Sequence, residues 1–180
     1  MSIVSTTVPY NHDVLIQNMY SLKRAYPFLY IDSIGDSVLG NAIVYIRIGN
    51  GNKQVFYNAS FHANEWITSP ILMKFIEDFC IAYSNNSNIY GYNAREIFNT
   101  TSIYIVPMVN PDGVNLVTGH LPINSIGYNY AKNISNNYPD IPFPSGWKAN
   151  IEGVDFSNFQ HTLLINRLDW RLLCLIILFS

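Results

Sequence analysis

The chain has 180 residues, 49% of them hydrophobic and only 12% charged, with a formal net charge of −2. That composition specifies a folded globular chain rather than a disordered one. Near-neutrality without a basic run gives no electrostatic footing for nucleic acid or an anionic membrane surface, and two cysteines, Cys80 and Cys174, with no C-x-x-C pair argue against a disulfide framework.

The opening stretch MSIVSTTVPY has neither the basic start nor the long apolar segment of a signal peptide, so a cytoplasmic location is expected. Residues 13–26 place Leu15, Met19, Leu22 and Tyr26 at helical intervals, with Asn11 or His12 as cap and Pro27 as stop. FLYIDSIG, ending at Gly35, reads as a short strand. AIVYIRI, residues 42–48, is dense in β-branched and aromatic residues and reads as a second. Asn50-Gly51 then gives a strong hairpin signal, which predicts that KQVFYNASF returns antiparallel to AIVYIRI.

A helix is predicted from Ser69 as N-cap and Pro70 as first helical residue, with Ile71, Leu72, Phe75, Ile76 and Phe79 as its apolar stripe and Cys80 as a core thiol. NNSNIYGYN is a polar loop, AREIF a helical turn, TSIYIVPMV a strand, and NPDG at 110–113 a turn. Residues 114–150, rich in Asn, Pro, Gly and Tyr, show little periodicity and read as a long irregular loop. Helix, strands, helix and strand in this order predict an α/β domain with a mixed sheet. The end of the chain turns abruptly to Leu and Ile, but its uninterrupted apolar run, Leu172 to Phe179, falls far short of the roughly 20 residues of a membrane span.

The chemistry concentrates in ASFHANEWITSP, residues 59–70. His62 and Glu65 lie three apart, after a strand and before a helix, where open α/β sheets place their sites. Imidazole nitrogen and carboxylate oxygen suit zinc, and a catalytic zinc takes three protein ligands and leaves one position open. Alone, the spacing is equally that of a surface His and a capping Glu.

Three ordered blocks go further. FHANEWIT resembles the zinc-binding motif of the carboxypeptidase A-like zinc metallopeptidases, VPMVNPDGV (106–114) is similar to that family's strand and Asn-Pro-Asp-Gly turn, and WKANIEGVD (147–155) to its block ending in Gly-Val-Asp. The wording is nearest the γ-D-glutamyl-L-diamino acid endopeptidase branch, which cuts bacterial cell-wall peptides. The resemblance covers roughly residues 10 to 158 and implies a mixed sheet with helices on both faces, a Zn²⁺ cofactor and a peptide substrate, here a peptidoglycan stem peptide.

By that resemblance His62 and Glu65 are zinc ligands and Asn64 lines the substrate side. Lys148 stands where relatives carry a carbonyl-polarising Arg, and Ser157 and Asn158 where they carry a carboxylate-gripping Asn-Arg pair. The third ligand, a downstream His, and the general base, a Glu further on, have no match: His120 and His161 lie outside such a block, and no Glu follows Glu152. The expectation is therefore an amino-terminal part of a zinc peptidase domain over 1–158, an atypical apolar tail over 159–180, no catalytic residue in place, and no turnover. A non-catalytic peptide-binding domain and a non-functional gene fragment are the alternatives.

Overall fold

The computed structural model describes residues 2–155. The tail from 159, together with Ser157, Asn158, His161 and Cys174, lies outside the described residues.

Helix α1 runs from His12 to Ala25. Asn11 is its N-cap, its side chain accepting from the Val14 amide at 3.0 Å, and His12 is the first helical residue. The apolar stripe buries Leu15, Met19 and Leu22. Strands β1 (Tyr30–Asp36) and β2 (Ala42–Ile48) form an antiparallel pair with a register shift between Ser33 and Gly35. Strand β3 spans Lys53–Asn58, helix α2 Thr68–Ser84, and the short strands β4 (Asn88–Ile89) and β5 (Tyr92–Asn93) make a small hairpin before helix α3 (Ala94–Thr100). Strand β6 (Thr101–Val106) follows, then helices α4 (Pro111–Val117) and α5 (Ile126–Ser135).

The main sheet has the order β1-β2-β6-β3, with β2 and β6 antiparallel and β3 and β6 parallel. The mixed α/β sheet is the predicted one, but the hairpin between β2 and β3 is not formed: β6 lies between them. The reason is visible at the turn. Gly49 has φ +86°, the Asn50 amide donates to the Phe98 carbonyl at 3.0 Å, and a Cβ on Gly51 would lie 1.8 Å from the Thr100 carbonyl carbon. The Asn-Gly turn thus closes over the end of α3 and the start of β6, and the chain leaves with a gap one strand wide.

Other expectations are corrected too. Ser69 does not cap α2 but lies inside it, fully buried, donating to the Pro107 carbonyl at 2.5 Å and bonding Ser60 Oγ at 2.7 Å. A 3-10 turn over Ala63–Glu65 leads into α2, so a free cap position does not arise. Most of the predicted stripe faces inward, with Ile76, Phe79 and Cys80 buried and Leu72 and Phe75 packed against the core, but Met73 takes the place of Ile71, which is 61% exposed. Residues 114–150 contain the rest of α4 and all of α5, and NPDG opens α4, with Asn110 as its N-cap and Pro111 in the first turn.

Leu15, Leu22, Met73, Ile76 and Phe79 of α1 and α2 join Ile46, Ile48, Ile103 and Ile105 of the sheet in one core. A second, smaller core gathers Ala63, Leu116, Ala131, Trp147 and Ile151. Among the described residues no helix is long and apolar enough to cross a membrane.

Candidate metal centre

The chain leaves β3 through a sharp bend. Ala59 and Val106 continue the ladder by a 3.0 Å bond, and then Ser60 adopts φ 52°, a left-handed conformation that a residue with a Cβ rarely takes. Its surroundings hold it there: the Ser60 amide donates to Thr68 Oγ1 at 2.9 Å, and Ser60 Oγ bonds Ser69. The bend turns His62 out of the strand direction, in extended conformation, as the residue before the 3-10 turn. That turn brings Glu65 back over the imidazole.

His62 Nδ1 lies 3.1 Å from Glu65 Oε1, and His62 Nε2 lies 3.3 Å from Asp155 Oδ1. Each ring nitrogen thus faces a carboxylate, and Nδ1, buried and without a well-angled hydrogen bond among the described residues, faces that of Glu65. Such a pair suits a cation between them. A nitrogen and an oxygen donor are a zinc-type set, and a carboxylate on the other imidazole nitrogen is how metal-bound histidines are commonly oriented. The residues therefore fit half of a tetrahedral site; among the described residues no group of three or more His, Cys, Asp or Glu converges on one point.

Asn64, in the 3-10 turn, is half-buried, and among the described residues its enclosed Oδ1 has no partner. Lys148 is exposed, and its carbonyl accepts from the Ala63 amide at 2.9 Å, which sets it beside the His62 turn. Glu152 is exposed and contributes its amide to Asn150 Oδ1. His120 is paired with Asp13 of α1, 2.9 Å from its Nε2, and His12 is buried against the Ala42 carbonyl. Neither joins His62. Burial raises the Cys80 thiol to about 12, with the Glu77 charge adding to the effect; it is an inert core group.

Asp155 is the site residue that spacing alone could not find. Its only sequence signal is its place at the end of the Gly-Val-Asp block. Asn110 was legible only as part of a turn.

Residues 15–162 match the family described as zinc carboxypeptidase. The chain is 47% identical over 149 residues to gamma-D-glutamyl-L-diamino acid endopeptidase 1 of Lysinibacillus sphaericus, covering 83% of this chain and 37% of that protein. It is 23% identical over 174 residues to the carboxypeptidase N catalytic chain of Homo sapiens, covering 79% of this chain and 37% of that one. The chain thus spans little more than a third of these relatives. The fold is shared with thrombin activatable fibrinolysis inhibitor (TM-score 0.57, 15% identity, 83% of this chain and 32% of that one). It is shared too with the carboxypeptidase A of Helicoverpa armigera (TM-score 0.53, 20% identity, 81% and 30%). With the motif blocks, the sheet order and the His62 centre, these likenesses make the chain a member of the zinc carboxypeptidase family.

Proposed function

We propose that His62 and Glu65 contribute two ligands to the zinc of a metallopeptidase whose substrate is a bacterial cell-wall stem peptide cut at a γ-D-glutamyl-diamino acid bond. The observation that carries the metal reading is the arrangement of His62, with Asp155 on one ring nitrogen and the Glu65 carboxylate facing the other. The likeness to the Lysinibacillus enzyme supports the substrate class. Zinc, when bound, supplies Lewis acidity toward a peptide carbonyl. The residues of this chain do the rest of the holding: with a metal on Nδ1, Asp155 would hold the His62 N–H on Nε2, Asn64 lies beside both ligands, and Lys148 offers a positive charge without the planar fork of an Arg.

Hydrolysis by these 180 residues alone is expected to be undetectable, because none of the residues after Glu152 is a Glu and a zinc peptidase needs a carboxylate to take the proton from the attacking water. General acid–base catalysis is worth about 10²- to 10⁴-fold. Calorimetric titration with zinc should show weak binding that is lost in His62→Ala and in Glu65→Ala, and stem-peptide hydrolysis should be undetectable. Zinc held as tightly as in a complete catalytic site, or metal-dependent cleavage abolished by Glu65→Ala, would contradict this.

A further inference from the structure

We infer that Asn110 is the positioning residue of the His62 centre, its side-chain amide gripping the two chain segments that meet at the imidazole. The inference rests on the reading of His62 as a metal ligand. Asn110 is 2% exposed. Its Nδ2 faces three carbonyls, those of Phe61 at 3.3 Å, Lys148 at 3.4 Å and Ala149 at 3.0 Å, which share its two N–H bonds. Its Oδ1 accepts from the Gly113 amide at 3.0 Å, and its own amide donates to the Ser60 carbonyl at 3.1 Å.

Phe61 is the residue before His62. Lys148 and Ala149 begin the loop that delivers Asp155. Beyond them the loop is a rigid unit: Asn150 Oδ1 accepts from the Glu152 and Val154 amides at 3.0 and 2.9 Å, and the Trp147 indole donates to the Asn150 carbonyl at 3.1 Å. One amide therefore fixes both arms of the His62–Asp155 pair. Gly113 completes the clamp, because a Cβ there would lie 2.6 Å from the Asn110 amide nitrogen and 2.8 Å from the Ala149 carbonyl oxygen. Asn is suited to the place: one group donates to the carbonyls while the other caps α4.

The test is carried out on the full chain with two readouts, hydrogen exchange of the Ala63 amide, which donates to the Lys148 carbonyl where the two segments meet, and zinc affinity by calorimetry. Asn110→Asp keeps an oxygen to cap α4 but removes the donors. The Ala63 amide should then exchange faster while the amides of β2 and β6 are unchanged, and zinc affinity should fall about 10- to 100-fold, as when a ligand's orienting partner is lost. If Asn110→Asp does not fold, Asn110→Ser, which caps without setting a charge against three carbonyls, carries the same measurements. A folded variant with unchanged Ala63 exchange overturns the proposal, and so does failure of both variants to fold, which makes Asn110 a residue of general stability. If no protein binds zinc, the metal reading fails while the Ala63 exchange still decides whether Asn110 joins the two segments.

Discussion

Glu77 shows what a single buried charge can hold. It is 2% exposed on α2. Its carboxylate accepts from Ser2 Oγ at 2.6 Å, from the Ile3 and Val4 amides at 2.5 and 3.4 Å, and from Lys74 Nζ at 3.0 Å. Burial pushes its pKa up, but the bonds from Ser2, Ile3 and Lys74 outweigh this and leave it below the ordinary carboxylate value. A folded-state pKa lower than the unfolded one gives stability that is present above the unfolded value and lost as pH falls through the folded one. Glu77→Gln should therefore cost about 1.5–3 kcal/mol at neutral pH, the usual worth of hydrogen bonding to a charged group. The variant should also lose less on acidification than the wild type. Urea melts at neutral pH and below the carboxylate range measure both, and parallel pH dependences in the two proteins would remove Glu77 from the account. The same scale governs what spacing reveals of the candidate metal centre. His62 and Glu65 are legible because one turn joins them, whereas Asp155 and Asn110 reach the site only through tertiary structure.

At the scale of elements, local signals were reliable where local forces decide. AIVYIRI is a strand in sequence and in structure because its alternate residues Val44, Ile46 and Ile48 are buried and the chain there needs no other information. Asn50-Gly51 misled because a turn signal fixes chain reversal, not the number of strands between its arms. Helix α5 hides for a different reason: its buried positions, Gly127, Ala131 and Ser135, are small, with a Gly127 Cβ only 2.9 Å from Leu39 Cδ1. Its short stripe of Tyr128, Ala131 and Ile134 against the small core is set among equally apolar residues that face out, Ile126 at 90% and Tyr130 at 51% exposure, which blurs the periodicity. Two glycines separate the effects of space and of backbone angle. Gly40 has φ +80° but nothing within 4 Å of an added Cβ, whereas Gly51 has no such angle and meets the Thr100–Thr101 backbone at 1.8–2.2 Å. Gly40→Ala should cost about 1 kcal/mol through its angle alone. Gly51→Ala must part β6 from the turn and should cost more than the roughly 1–3 kcal/mol of ordinary overpacking. Chemical denaturation of both variants checks the order, and equal losses would mean that the turn yields without disturbing β6.

Over the whole molecule, the two cores divide the centre between them. His62 follows β3, which pairs with β6 of the large core's sheet, but the residue after it, Ala63, is buried in the small core with Trp147 and Ile151. Asp155 follows the loop that Trp147 anchors. The small core draws on short helices and a loop, the large one on a four-stranded sheet and two long helices, so the small core should open first. Opening it would carry Asp155 off His62 while the sheet stays intact. Trp147→Ala tests this: truncating a buried aromatic costs about 3–5 kcal/mol where the loss falls on the global fold. Here the loss should fall mainly on the small core. Hydrogen exchange followed by mass spectrometry should show faster exchange in α5 and in residues 147–154, with β2 and β6 still protected. Ile46→Ala, at the centre of the large core, should instead raise exchange everywhere, because the small core has no sheet of its own to stand on. Uniform acceleration in both variants would mean that the cores unfold as one, and that the separation of Asp155 from His62 requires global unfolding.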